Sequence, residues 1–187
     1  MEVNQDNVSE FRPCKVELAS PRTDWTLSWF LCRQQGILPD MASFLWKMLH
    51  NLLGTQERLH RLGSSPSALC KQCKQVSGTL KHELIECPQN DHAGEQLLSC
   101  LQLYMPGLTA DSLLRLEFSN LDVNMELPCT IITAVTLGYI WKERLTSSRI
   151  RSYQFRSEIE QSINLLRTRR LAYTATSRDT LVSQMFQ

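Results

Sequence analysis

Residues 69–88 read LCKQCKQVSGTLKHELIECP, and this stretch holds three of the seven cysteines and one of the four histidines of the chain. These four residues follow the spacing C-x2-C-x8-H-x4-C: Cys70, Cys73, His82 and Cys87. A tight C-x2-C turn directs two thiolates at one ion, and three cysteines with one histidine fill the four tetrahedral positions of zinc. Thr79 is suited to cap a short helix that brings the histidine and the last cysteine to the same point.

This segment has few apolar side chains to bury. Their burial alone offsets too little of the conformational entropy lost when the backbone of the segment is fixed. These side chains are Leu69, Val76, Leu80, Leu84 and Ile85. A structural zinc ion stabilises small finger peptides by about 10–16 kcal/mol, which is the size of contribution that the segment lacks. We therefore predict one Zn²⁺ ion with four protein ligands, which is typical of a structural rather than a catalytic site.

Two other interpretations of the cysteines stay open at the level of sequence. In the first interpretation, the cysteines are buried free thiols beside a surface histidine. In the second, Cys70 and Cys73 form a redox pair. A redox C-x-x-C normally opens a helix after a strand, and no strand pattern precedes Cys70. His92 is the one credible substitute ligand, whereas Cys100 falls on a helical face and is predicted to lie in the core.

The composition suits an ordinary globular protein, since 42% of the 187 residues are hydrophobic and the formal net charge is only +1. The longest apolar run, Ile131 to Trp141, covers 11 residues and is too short to span a membrane. The N-terminus lacks the apolar core of a signal peptide. We expect an intracellular protein of the nucleus or cytoplasm, with reduced thiols and no membrane association.

Helical periodicity on both sides of the cysteine stretch predicts an all-α protein, namely a helical domain with an embedded CCHC zinc knuckle. No strand alternation and no internal repeat is found in the sequence. The predicted organisation is a flexible leader at 1–22, a helical lead-in at 23–63, the zinc knuckle at 64–92, a helical C-terminal region at 93–175 and a flexible tail at 176–187.

Local signals place several helix boundaries. Thr55 is predicted to cap a short helix that Gly63 ends, and Gly54 to supply a left-handed cap for the helix before it. Pro128 suits the first turn of a long helix whose centre, IITAVTLGYIW, is apolar nearly all round and should lie centrally in the fold. A last helix is predicted at 152–172.

Aromatic and histidine residues outside the cysteine stretch are predicted to be structural. All four tryptophans fall on apolar helical faces and are expected to pack in the core: Trp25, Trp29, Trp46 and Trp141. His50 and His60 are expected at helix surfaces or helix boundaries, with no acid and nucleophile grouped around them. We therefore expect neither enzyme activity nor a small-molecule substrate.

Three stretches carry a family resemblance: FLWKMLHNLLGTQERLHRL at 44–62, CKQCKQVSGTLKHELIEC at 70–87 and IWKER at 140–144. Residues from about Trp25 to Arg170 resemble the zinc-binding C-terminal region of reverse transcriptases from non-LTR retrotransposons. That family has an aromatic helical lead-in, the motif C-x(1–3)-C-x(7–8)-H-x4-C and then further helices. The polymerase aspartate pair in a Tyr/Phe-x-Asp-Asp arrangement and a recognisable endonuclease motif are absent from this sequence.

The resemblance implies a module that grips RNA or single-stranded DNA close to a polymerase. Basic residues support this function, because three lysines lie in the cysteine stretch and nine lysines or arginines lie between residues 142 and 178. The predicted nucleic-acid-binding residues are Lys71, Lys74, Lys81, Lys142, Arg144, Arg149 and Arg151. For the C-terminal charges, a solvated helix face is the alternative interpretation.

A protein-interaction module is the alternative function. Zinc would then only stabilise the fold, and an apolar helical face that includes Met41, Met48 or Trp29 would engage a partner. A third interpretation is a subunit that completes a reverse-transcriptase core supplied by another chain, and it differs from the nucleic-acid-binding module only in needing that partner.

Overall fold

The structure, a computed structural model, describes residues 25–33, 37–118 and 121–146, together with Ser157. The predicted leader at 1–22, the predicted last helix at 152–172 and the predicted tail at 176–187 lie outside these ranges, apart from Ser157.

Helices dominate the described ranges. The α-helices are α1 (Trp25–Arg33), α2 (Pro39–Leu49), α3 (Gln56–Arg61), α4 (Ala93–Gln102), α5 (Ala110–Leu114) and α6 (Val123–Thr146). A π-helical turn at His82–Glu86 and a 3₁₀ turn at Pro88–Asn90 connect the cysteine stretch to α4. The described residues contain no β-strand, and Leu69 and Ser77 form an isolated antiparallel bridge. The prediction of an all-α protein is confirmed.

Around α2 and α3, two predicted helix boundaries are confirmed and one is wrong. Thr55 caps α3, since its Oγ1 accepts a hydrogen bond of 3.4 Å from the backbone N–H of Arg58. Gly63 follows α3 with a φ of +73°, the left-handed conformation that glycine adopts without strain. The left-handed residue after α2 is Asn51 (φ 50°) rather than Gly54. Helix α2 ends at Leu49, so its cap falls earlier, and asparagine tolerates this conformation.

The long helix α6 forms the centre of the fold. It contacts α1, α2, α4 and the π-helical turn, and its residues from Cys129 to Leu137 are buried around the whole circumference. This matches the prediction from the all-round apolar sequence. The predicted start is wrong, because α6 begins at Val123 and Pro128 lies inside it. A proline near the N-terminal end removes one backbone hydrogen bond, which the buried turns beyond it outweigh.

The tryptophans divide between the core and the surface. Trp25 is buried, and Trp29 and Trp141 are partly buried against the core. The prediction is wrong for Trp46, which is 43% exposed and has its ring centroid 4.4 Å from that of His50. The inner face of α2 is already occupied by Leu45, Met48 and Leu49, and Trp46 projects to the side of it.

None of the helices in the described ranges is long and apolar enough to cross a membrane.

The core should respond very differently to two leucines at the end of α4. Leu101 is fully buried and Leu103 is 64% exposed. We predict that Leu101→Ala lowers the free energy of unfolding by about 2–5 kcal/mol, because it leaves a cavity among packed helices. The matched control Leu103→Ala should change it by no more than about 0.5 kcal/mol. Chemical denaturation of the zinc-loaded protein measures both, and equal losses would contradict the packing described here.

Candidate metal centre

A short hairpin presents the first two cysteines. The isolated bridge between Leu69 and Ser77 is closed by hydrogen bonds of 2.8 Å from Cys70 N–H to Val76 O and from Gly78 N–H to Ala68 O. At its tip, Lys74 N–H donates to Cys70 O over 2.8 Å, so residues 70–74 form a tight turn. This turn places the Cys70 and Cys73 thiols on one side of the hairpin, as the C-x2-C spacing predicts.

The π-helical turn presents the other two candidate ligands. Thr79 Oγ1 accepts a 3.1 Å hydrogen bond from the backbone N–H of His82, which confirms the predicted cap. Helical turns then run to Glu86, and Cys87 follows in extended conformation before Pro88. The sequence predicted a helix here, but not its π-helical form. Such wide turns occur often at functional sites.

The four side chains converge on one point. Cys70 Sγ and Cys87 Sγ are 3.8 Å apart, and Cys73 Sγ lies 3.3 Å from His82 Nε2. All four donor atoms lie within 4.8 Å of one another. Tetrahedral zinc with Zn–S bonds of about 2.3 Å places two sulfurs about 3.8 Å apart, so the observed cluster has the dimensions of a zinc site.

Burial distinguishes this cluster from a set of surface thiols. Cys70 and Cys87 are almost completely inaccessible, His82 is 6% exposed and Cys73 is partly buried. With four protein donors around the centre, no coordination position is left for a substrate. The ion held here would act as a cross-link between the hairpin and the π-helical turn.

The two other residues considered as ligands lie elsewhere. His92 is exposed, and its Nδ1 lies 2.8 Å from Glu95 Oε2. Cys100, on α4, is buried in the hydrophobic core, as predicted. Neither belongs to the cluster of four donors.

Arg144 is the residue whose role the sequence did not reveal. It was predicted to bind nucleic acid, but it is 8% exposed, and its Nη2 donates a 3.2 Å hydrogen bond to Cys70 Sγ. The same guanidinium donates through Nη1 to Gln72 Oε1 at 2.6 Å and to Asn90 Oδ1 at 3.3 Å. Because these contacts hold the guanidinium inside the protein, it is not presented to a phosphate backbone.

Glu83 completes the polar network beside the cluster. Its Oε1 lies 3.5 Å from Arg144 Nη2 and accepts a 3.0 Å hydrogen bond from the backbone N–H of Gln56. Burial raises the pKa of this carboxyl, and the Gln56 N–H and Arg144 act in the opposite direction. Gly78 is required next to it, since a Cβ there would collide with the Glu83 carboxylate and with Gln56 Cβ.

The two buried thiols differ in acidity in the absence of metal. Burial alone would raise the pKa of Cys70, but hydrogen bonds from the backbone of Cys73 and Gln72 and from Arg144 lower it to about 6. Burial raises the pKa of Cys87 to about 11, and the neighbouring Cys70 adds to this effect. At neutral pH, Cys70 is therefore the thiolate that is ready to receive a cation.

The predicted nucleic-acid-binding lysines occupy different environments. Lys71, Lys74 and Lys142 are exposed. Lys81 forms ion pairs with Glu86 at 3.1 Å and with Asp111 at 3.7 Å. The two remaining predicted residues, Arg149 and Arg151, lie outside the described ranges.

The donor set and its geometry can now be compared with known proteins. Residues 15–93 match the family described as zinc-binding in reverse transcriptase. The match contains the whole Cys3His cluster and ends at the first residue of α4, so α6 and Arg144 lie beyond it. No curated protein and no solved structure matches the chain significantly. The family match and the cluster together identify a zinc-binding module with one structural zinc ion.

Two histidines allow a matched test of the ligand set. We predict that His82→Ala removes the bound zinc or weakens its binding severely, because the ion loses one of four ligands. His92→Ala should retain one zinc per chain, since His92 lies outside the cluster. Elemental analysis of the purified variants measures the zinc content, and full occupancy in the His82 variant would refute the assignment.

Acidification should weaken zinc binding. Cys87, with its pKa raised to about 11, still carries its proton at neutral pH, and zinc must displace it. Between pH 8 and 6 we predict that zinc affinity falls by about tenfold per pH unit for each displaced proton. Competition with a chromogenic chelator across this range measures the slope, and a pH-independent affinity would contradict thiolate ligation.

Proposed function

We propose that this chain is a zinc-stabilised nucleic-acid-binding module, derived from or similar to the C-terminal region of a non-LTR retrotransposon reverse transcriptase. In this proposal it binds RNA or single-stranded DNA and performs no catalysis of its own. The observation that carries the proposal is the pair of exposed lysines, Lys71 and Lys74, on the turn that also supplies two metal ligands.

The metal turn is a rigid base for these lysines. Lys71 follows Cys70 directly and Lys74 follows Cys73, so zinc ligation fixes the backbone on which both side chains stand. Lys74 has a φ of 59°, a conformation that a residue other than glycine adopts only when its surroundings impose it. Positive groups held outward from a fixed backbone suit phosphate contacts, which position a protein on nucleic acid without reading its sequence.

The remaining cations contribute less to this surface. Lys81 is paired with two carboxylates, which compete with any phosphate for its ammonium group. Lys142 lies two residues before Arg144, and two residues on a helix differ by about 200° in direction. Because Arg144 faces the metal cluster, Lys142 faces away from it and lines a groove that Phe44 of α2 also lines. The proposed surface therefore centres on Lys71 and Lys74.

A charge reversal at both lysines tests the proposal. We predict that Lys71→Glu with Lys74→Glu weakens binding to single-stranded RNA or DNA while zinc content and helicity persist. Each phosphate contact to a single strand contributes about −0.7 to the slope of log affinity against log salt, so losing two should make the slope shallower by about 1.4. Fluorescence anisotropy at several salt concentrations measures the affinity and its dependence on salt.

Helices α1 and α2 of the helical lead-in offer a control variant with the same change in net charge. Arg33 and Lys47 are exposed on α1 and α2, and Arg33→Glu with Lys47→Glu alters the total charge equally. This variant should retain most of the affinity, since long-range effects between exposed charges are screened by salt. Equal weakening by the two double variants would reject the metal turn as the binding surface.

One observation favours the alternative function, a protein-interaction module. A groove of about 540 Å³ lies between α2 and the end of α6, lined by apolar side chains such as Phe44, Tyr139 and Leu145. Leu145 is 67% exposed, whereas Met48, named above as part of an interaction patch, is buried. If the wild-type chain shows no salt-sensitive affinity for nucleic acid even at low salt, this groove becomes the leading candidate surface.

A further inference from the structure

The contacts of Arg144 point to a function for α6 in the metal centre. Each partner of the guanidinium is a ligand or lies close to one in the sequence. Cys70 is a ligand, Gln72 precedes Cys73, Glu83 follows His82, and Asn90 lies three residues after Cys87. One side chain from the C-terminal end of α6 therefore touches every segment that carries a zinc ligand.

We propose that Arg144 is a positioning residue of the zinc centre, and that it couples zinc binding to the docking of the end of α6. The guanidinium holds the Cys70 sulfur by a hydrogen bond and fixes the ligand-bearing segments relative to one another. The end of α6 is in turn held in place by the assembled cluster. The centre would then need a residue that lies outside the family match at 15–93.

Charge provides the first argument. A zinc ion with three thiolates and a neutral histidine carries a net charge of −1, and the cluster is buried. A buried charge is costly unless a partner compensates it. The arginine side chain is always protonated in proteins, and Arg144 lies 3.2 Å from one of the sulfurs. Arg144 therefore supplies positive charge directly beside the cluster, and it shares that charge with the Glu83 carboxyl group, whose Oε1 lies 3.5 Å from Nη2.

Shape provides the second argument. The guanidinium is planar and carries several N–H donors in a fixed fork, whereas a lysine ammonium is a compact point charge. Arg144 uses this fork, with Nη1 directed at Gln72 and Asn90 and Nη2 directed at Cys70 and Glu83. Asn90 is itself fixed, because its Nδ2 donates a 2.8 Å hydrogen bond to Glu83 O. Replacing a residue that orients metal ligands in this way typically weakens metal affinity by about 10–100-fold.

Zinc affinity of the full chain tests the proposal without any assay of nucleic-acid binding. We predict that Arg144→Met binds zinc about 10–100-fold more weakly than the wild type, as is typical for residues that support metal ligands. Arg144→Lys, which keeps the charge and loses the fork, should fall between the two. The matched control is Lys142→Met on the same helix turn, which should bind zinc like the wild type because Lys142 faces away from the cluster.

A spectroscopic signature separates positioning from a purely structural role. With Co²⁺ in place of zinc, loss of the hydrogen bond to Cys70 Sγ should shift the thiolate-to-cobalt charge-transfer band in Arg144→Met, whereas Lys142→Met should leave it unchanged. An Arg144→Met protein with wild-type zinc affinity and an unshifted band would overturn the proposal.

Hydrogen exchange of the wild-type chain provides a second test in case Arg144→Met fails to fold. We expect that removal of zinc speeds exchange of the backbone amides of residues 142–146 more than that of residues 131–140 in the centre of α6. Equal effects on the two regions, or no effect on either, would contradict the coupling.

Discussion

The middle of this protein depends on four side chains meeting around one zinc ion. The hairpin that supplies Cys70 and Cys73 exposes its own apolar residues, since Leu69 is 47% and Val76 is 48% exposed. Its backbone pairing is limited to one isolated bridge and the hydrogen bonds of its turn. Apolar burial and strand pairing therefore do little to order it, and metal ligation supplies the missing free energy.

The π-helical turn joins the metal centre to the hydrophobic core. His82 and Glu83 face the cluster and its polar network, whereas the next two residues, Leu84 and Ile85, are buried in the core. Helix α4 packs so closely on this turn that a Cβ at Gly94 would collide with the Leu84 carbonyl. Because this turn contacts both α4 and α6, it links the positions of the ligands to the packing of these helices.

The features that the sequence predicted are those encoded locally. The ligand spacing, the caps at Thr55 and Thr79 and the all-round apolar centre of α6 each depend on residues a few positions apart. The environment of Arg144 depends on Cys70, which lies 74 residues away in the sequence. Within IWKER, nothing distinguishes a buried arginine from a solvated one. Trp46 is the opposite case, an aromatic residue in an apolar pattern that is left outside because neighbouring side chains of α2 fill the core.

Burial of Arg144 also limits how the proposed nucleic-acid surface can work. Arg144 donates a hydrogen bond to Cys70 of the metal cluster and does not contribute to phosphate binding. Lys81 forms ion pairs with two carboxylates. Under the proposed function, the two exposed lysines on the metal turn would give a weak and salt-sensitive contact. In the proposed function, such a contact suits a module that orients a nucleic acid held mainly by a larger neighbouring surface. The rigidity of the zinc turn then matters more than its total charge, because orientation depends on where the two ammonium groups are fixed.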